Sequence, residues 1–188
     1  MASTSDIRNG LCIWYNNDIY KIIEFLHVKP GKGQDFVRTN MKSVTNGKVL
    51  DNTFSSGHKI EDVRVETHKF QFLYSDGEYY HFMNTEDYTQ IQLTESALDS
   101  PQLMKEGEVV TVIINTEDNL PLSVEMPASV TLQVTATEPG VKGNTATNAT
   151  KPATVETGAS VNVPLFINEG DLIKIETDKG TYKERVKE

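Results

Sequence analysis

The sequence predicts an all-β protein of three small β-barrels in a row, with an SH3-like (KOW-like) barrel first and two OB-like barrels after it. Short runs of alternating apolar and polar residues dominate the chain, and tight-turn pairs such as Asn46-Gly47 and Asp76-Gly77 separate them. The segment from Ser96 to Met104 is the only plausible helix, and Pro101 interrupts its pattern.

The first sixty residues contain four short runs that alternate or are rich in β-formers, with Asn16-Asn17-Asp18 and Asn46-Gly47 as turns. Strands this short, joined by tight turns, are typical of an SH3-like barrel. The predicted strands are Leu11–Tyr15, Ile19–Phe25, Arg38–Val44 and Val49–Leu50, and the short run Phe36–Arg38 also has strand character.

The remainder of the chain continues the same pattern. A Gly/Thr/Ala/Asn-rich segment, Glu138–Gly158, predicts an ordered loop or a wide hairpin. The run Pro121–Val124 is expected to close the middle barrel. The other predicted strands are Val63–Tyr74, Tyr79–Met83, Thr89–Leu93, Glu108–Asn115, Val130–Val134, Val161–Leu165, Leu172–Ile175 and Tyr182–Val186.

An internal repeat supports a duplication. Lys105–Val112 and Asn168–Ile175 lie 63 positions apart, and each is a Glu-Gly turn that leads into a β-rich strand. A repeat at this spacing indicates related barrels of about sixty residues each. The predicted domains are therefore residues 1–64 (SH3-like), 65–128 and 129–188 (both OB-like). Small barrels are individually marginal, so we expect their interfaces to hold them as a fixed rod or an L.

Charge is unevenly distributed along the chain. The net charge is −9, and residues 64–128 alone carry three Lys/Arg against twelve Asp/Glu. Residues 28–48, in contrast, carry five basic residues against Asp35. This pattern argues against indiscriminate binding of nucleic acid and allows directional docking on RNA through the basic end.

The composition predicts a cytoplasmic protein. Residues 1–9 are polar and lack the apolar core of a secretion signal, and no apolar run approaches the ~20 residues of a membrane span. The only cysteine, Cys12, excludes an internal disulfide and fits a reducing compartment.

The sequence contains no constellation typical of an enzyme. The four histidines are scattered without metal-ligand spacing, and no nucleophile motif joins Ser, His and acidic residues. We therefore predict neither catalysis nor a metal or cofactor.

The segment Lys29-Pro30-Gly31-Lys32-Gly33-Gln34 is the predicted tip of a hairpin. Pro-Gly suits a tight turn, and glycines on both sides leave the amine of Lys32 uncrowded. Taken alone, such a segment is more often a solvated turn than a binding site. Arg38 and Lys42 alternate in register after it, and the sequence leaves open whether they line a basic face or are simply solvated.

Four segments together resemble the bacterial elongation factor P family, and the resemblance covers essentially the whole chain. The third, which leads into Val163-Pro164 and Glu169-Gly170, is long and unusual. The four segments are Lys29–Gln34, Phe82–Gln90, Lys151–Gly158 and Thr181–Val186.

The resemblance implies a non-enzymatic factor that binds the ribosome between the P and E sites and has an L-shaped, tRNA-like outline. The tip of the first barrel would reach the CCA end of the P-site peptidyl-tRNA. Lys32 matches a lysine that a dedicated enzyme modifies, and the family relieves stalling at consecutive prolines. The implied partners are rRNA, peptidyl-tRNA and the modifying enzyme, and we expect a monomer without membrane contact.

The resemblance also implies further RNA contacts. Gly143-Asn144-Thr145-Ala146 matches an element that approaches the E-site mRNA codon, but Asn144 replaces the usual Asp and could instead cap a turn. Tyr182 and Arg185 match positions that face RNA. They are three apart, so on a regular strand they fall on opposite faces unless a bulge or twist intervenes.

Two other classes of protein stay open at this point. A general OB-fold binder of single-stranded RNA would need exposed aromatics on a basic barrel face, which the acidic middle segment disfavours. A small hydrolase on a β scaffold is the weakest alternative, because no catalytic constellation is visible.

Overall fold

A computed structural model of the protein describes residues 2–140 and 149–186. Within those ranges the regular secondary structure is almost entirely β-strand, which confirms the predicted all-β class. Three short 3-10 helices occur there, at Thr4–Asp6, Glu95–Ala97 and Pro101–Leu103. No helix within these ranges has the length and apolar character to span a bilayer.

Sixteen strands run through the described residues. Because alternate residues of a strand point to opposite faces, most strands bury every second side chain. The strands are β1 Ala2–Ser3, β2 Cys12–Tyr15, β3 Asp18–Val28, β4 Phe36–Ser43, β5 Val49–Ser55, β6 Lys59–Asp62, β7 Val65–Ser75, β8 Tyr79–Asn84, β9 Gln90–Thr94, β10 Val109–Asn115, β11 Leu120–Glu125, β12 Ser129–Thr137, β13 Thr150–Val155, β14 Ser160–Pro164, β15 Leu172–Glu176 and β16 Thr181–Val186.

The strands form three sheets, and each sheet is built from strands that follow one another in the chain. The first sheet has six strands in the order β1-β6-β2-β3-β4-β5. The β2–β3 turn is tight, because Asn16 (φ 49°) and Asn17 (φ 59°) both adopt the left-handed conformation that such hairpins require. The boundaries at residues 64 and 128 stay a prediction.

The second and third sheets share one topology. Their orders are β11-β10-β7-β8-β9 and β14-β13-β12-β15-β16, which correspond strand for strand when the third is read from β16. Gly107 (φ 86°) donates its N–H to the carbonyl of Phe72, and Gly170 (φ 90°) donates to that of Val134, each at 2.8 Å. The predicted internal repeat is thus a repeated structure.

One expectation about an individual element is wrong. No helix spans Ser96–Met104, because Ser100 adopts a left-handed conformation (φ 53°) directly before Pro101 and divides the segment into two 3-10 turns. For Glu138–Gly158, the antiparallel pairing of β12 with β13, which begins at Thr150, agrees with the wide hairpin, one of the two predicted alternatives. The strand Pro121–Val124 is present within β11 and lies at one edge of its sheet.

The fold divides into two compact units. The first comprises residues 1–68, 93–97 and 112–124, and the second comprises 69–92, 98–111 and 125–188. Two apolar clusters lie in the first unit, one around Ile13, Ile22 and Met41, the other joining Cys12 to Ile113 and Leu122. An apolar cluster of the second unit is built mostly from β12–β15 and includes Leu103 and Ile167.

Candidate nucleic-acid interface

The β3–β4 hairpin carries the predicted tip. Its arms pair in register from Phe25↔Thr39 to Val28↔Phe36, so ladder hydrogen bonds extend to the base of the loop. Lys29 and the run from Gly31 to Gln34 are exposed, and Lys32 stands in the middle of that run. The hairpin therefore presents one long amine-bearing side chain to solvent.

The two glycines beside Lys32 differ in conformation. Gly33 has φ of +124°, a value that L side chains rarely adopt, whereas Gly31 has an ordinary φ. A Cβ at Gly33 would also lie 3.7 Å from Pro30 Cγ, and one at Gly31 would meet open space. The loop conformation therefore requires glycine at position 33, whereas the sequence suggests Gly31 of the Pro-Gly pair.

The N-terminal segment supports the base of this loop. The Asp35 carbonyl accepts the N–H of Ser56 at 2.8 Å, and the Thr4 hydroxyl accepts the N–H of Gly57 at 2.8 Å. Thr4 is buried, and it lines a cleft together with His27 and Lys29. The Asp35–Ser56 bond thus fixes the base of the loop to the turn after β5, and the Thr4–Gly57 bond holds that turn, while Lys29 and the run from Gly31 to Gln34 are exposed.

Arg38 and Lys42 lie on the same outward face of β4, but they do not form a continuous basic strip. Asn40 lies between them, flanked by Glu24 of β3 and Asp51 of β5 across the sheet. The Arg38 guanidinium lies 5.7 Å from the centre of the Phe36 ring. Phe36 was not predicted as part of the site, although its position two residues before Arg38 places both on one face.

A bulge decides the orientation of Tyr182 and Arg185. Tyr182 pairs with Ile175, whereas Arg185 pairs with Ile173, and Lys183 is the extra residue between them. Ile173 and Ile175 are both buried, so Tyr182 and Arg185 share their face. Tyr182 packs against the apolar cluster of its unit and is partly buried.

The Arg185 guanidinium lies over the exposed Phe166 ring, at 5.6 Å from its centre, and 3.7 Å from a carboxylate oxygen of Asp171. Phe166 and Asp171 were missed by the sequence analysis. No local signal could reveal them, because both are distant from Arg185 in sequence.

The remaining predicted contacts, Gly143, Asn144, Thr145 and Ala146, lie outside the described residues. Across residues 2–140 and 149–186, no group of three or more His, Cys, Asp or Glu side chains is arranged to hold a metal ion.

Three family models match successive parts of the chain. The Elongation factor P (EF-P) KOW-like domain matches residues 3–60, the Elongation factor P (EF-P) OB domain matches 65–124, and the Elongation factor P, C-terminal model matches 130–185. A KOW-like sheet followed by two sheets of one topology, with these matches, defines a translation factor.

Close relatives cover the full length. The chain is 84% identical over 188 residues to elongation factor P of Christiangramia forsetii and 73% identical to that of Flavobacterium johnsoniae, with 100% of each chain covered. The chain belongs to the elongation factor P family. A solved structure of eukaryotic translation initiation factor 5A from Methanococcus jannaschii aligns with 67% of this chain and 90% of its own, at 16% identity and a TM-score of 0.49.

Proposed function

We propose that the protein binds the ribosome between the P and E sites and promotes peptide-bond formation at consecutive prolines. In this proposal it acts in the cytoplasm as a monomer, and the β3–β4 tip contacts the CCA end of the P-site peptidyl-tRNA. The supporting observation is the exposed Lys32 at the tip of a hairpin whose arms are paired up to the base of the loop.

The proposed mechanism is positioning rather than catalysis by a side chain. Proline has a fixed φ, so a nascent Pro-Pro chain has few ways to lie in line with the attacking amine. A factor that holds the peptidyl-tRNA in the reactive geometry lowers the entropic part of the barrier without supplying an acid, base or nucleophile.

Lysine suits this role better than arginine. An ammonium group can be extended covalently by a modifying enzyme and still carry a cationic, hydrogen-bonding arm, whereas a guanidinium cannot be extended in this way.

Lys29 adds a second positive charge at the loop, and Arg38 would contact the RNA backbone lower on the hairpin. Arg185 would contact phosphate and Tyr182 a base. The segment from Gly143 to Ala146 would approach the E-site codon.

The experiment compares Lys32→Arg with Lys48→Arg in translation of a Pro-Pro-Pro reporter. Both keep the charge, and Lys48 is an exposed lysine in another turn of the same sheet. Lys32→Arg is expected to keep the fold, lose the mass increment of the modification and fail to relieve stalling, while Lys48→Arg behaves as wild type. Normal rescue by Lys32→Arg would refute the proposal and favour a general RNA-binding role.

A further inference from the structure

A cleft in the first unit lies beside the single tryptophan of the chain. It encloses about 740 Å³ and is lined by the β2–β3 turn, by β6 and by the β10–β11 hairpin. Trp14 is 46% exposed and Leu120 is 54% exposed, so the cleft leaves two large apolar side chains partly uncovered. Neither contributes to the site proposed above, which lies around the β3–β4 tip.

The charged side chains that line the cleft are all acidic. Five of its lining residues are acidic, and among the described residues that line it there is no Lys, Arg or His. Glu61 of β6 lies directly opposite Trp14 of β2 in the sheet, and Glu117 is exposed in the turn after β10. The other acidic residues are Asp18, Asp62 and Asp118.

The walls of the cleft are held in place by local hydrogen bonds. The Glu117 N–H donates to Oδ1 of the buried Asn115 at 3.1 Å, and the Leu120 N–H donates to Oδ1 of Asp118 at 3.1 Å. Asn119 adopts a left-handed conformation (φ 57°) between them. Because these turns are already formed, a ligand pays little for ordering the cleft.

We propose that this cleft binds a lysine- or arginine-bearing segment of a partner protein. The cation would lie over the Trp14 ring and beside Glu61, since indole is the aromatic side chain that attracts cations most strongly. The aliphatic stem of the same side chain would pack on Leu120. Nucleic acid is disfavoured as the occupant, because five carboxylates repel phosphate.

The test titrates the full-length chain with the peptide Lys-Leu-Lys-Leu-Lys and follows the emission of Trp14, which reports this cleft alone. We expect a saturable change in emission. The variant Glu61→Gln/Glu117→Gln should weaken binding about tenfold. The matched double variant Glu138→Gln/Glu169→Gln removes the same charge from exposed positions elsewhere and should bind as wild type.

A second variant, Leu120→Ser, keeps the test valid if the Gln pair lowers the melting temperature. Leu120→Ser alters only an exposed side chain and should also weaken the peptide. The proposal is overturned if emission does not saturate, if neither variant weakens binding, or if a Glu-Leu-Glu-Leu-Glu peptide or a short oligonucleotide binds equally well.

Discussion

Asp18 joins two turns of the first sheet through three hydrogen bonds. Its Oδ1 accepts the Ile19 N–H at 2.8 Å and the Thr45 hydroxyl, and its Oδ2 accepts the Ser43 hydroxyl at 2.6 Å. Burial acts to raise the pKa of Asp18, but the bonds from Ser43, Thr45 and Ile19 outweigh it and hold the pKa below its ordinary value. A lowered folded-state pKa adds stability above the unfolded pKa, and this stability is lost as the pH falls through the folded value.

Asp18→Asn is expected to lower the free energy of unfolding by about 1–2 kcal/mol at neutral pH, because the ionised acceptor is lost. The difference from wild type should begin to shrink below about pH 4, where the carboxylate of the unfolded chain takes up a proton, and should be lost at still lower pH, where the folded-state carboxylate is protonated too. Urea unfolding, followed by Trp14 emission at neutral pH and below pH 4, measures this difference in the free energy of unfolding. The exposed Asp51 serves as control, and Asp51→Asn should change little. An equal loss at both pH values would contradict the assignment.

Gly33 and Gly31 provide a matched pair of substitutions in the loop. Gly33→Ala places a Cβ on a backbone with φ of +124°, which costs about 1–3 kcal/mol if the conformation is kept. The loop should therefore change shape and rescue of the Pro-Pro-Pro reporter should fall. Gly31→Ala, which faces open space, should retain rescue. If both variants behave alike, the conformation of the loop does not govern activity.

At the scale of elements, the second and third sheets repeat a turn in detail. Gln71 Nε2 donates to the Gly107 carbonyl and Gln133 Nε2 donates to the Gly170 carbonyl, each at 3.3 Å. Both long central strands also carry a register irregularity at equivalent places, after Phe72 in β7 and after Val134 in β12. The same side-chain hydrogen bond therefore stabilises the equivalent turn in both sheets.

Gly107→Ala and Gly170→Ala should each lower the free energy of unfolding by about 1–2 kcal/mol, because both positions need a left-handed backbone. A Cβ meets open space at Gly170 and lies 3.8 Å from Gln71 at Gly107, so strain rather than crowding sets the cost. Urea unfolding followed by circular dichroism measures both variants. A loss at one site only would show that the two turns are not energetically equivalent.

At the scale of the whole molecule, strands from different sheets share a core within the first unit. Cys12 of β2 and Ile19 of β3 belong to one apolar cluster with Ile113 of β10 and Leu122 of β11. Burial raises the pKa of the Cys12 thiol, so this group is a poor nucleophile in the folded protein. Its reactivity therefore reports whether the shared core is intact.

Leu122→Ala should cost about 2–5 kcal/mol by leaving a cavity in this cluster, and it should speed labelling of Cys12 by a thiol reagent. Leu120→Ala, two residues earlier on the same face of β11 but at its exposed end, should change neither quantity much. The rate of Cys12 labelling and the urea midpoint are measured for both variants and compared with wild type. Unchanged labelling in Leu122→Ala would mean that β11 does not protect Cys12.

Much of the fold follows from the order of residues. Alternating apolar positions specify strands because side chains have period two, and Asn, Asp and Gly specify turns because they tolerate positive φ. The β3–β4 hairpin, the β2–β3 turn and the Asp76-Gly77 turn all appear as the sequence predicts. The helix predicted at Ser96–Met104 does not form, because a single residue, Ser100, adopts a left-handed conformation that helix propensity does not reveal.

The sequence by itself therefore determined the β class, the hairpin that presents Lys32 and the repeat of the last two sheets, since these depend on neighbours along the chain. Only the tertiary structure decided that Arg185 lies on Phe166, that a bulge turns Tyr182 toward the core, and that Trp14 shares a cleft with Leu120. Each of these depends on which residues face one another across strands or sheets rather than on neighbours along the chain. Such relations are set by how strands pair and how sheets pack, which no local pattern encodes.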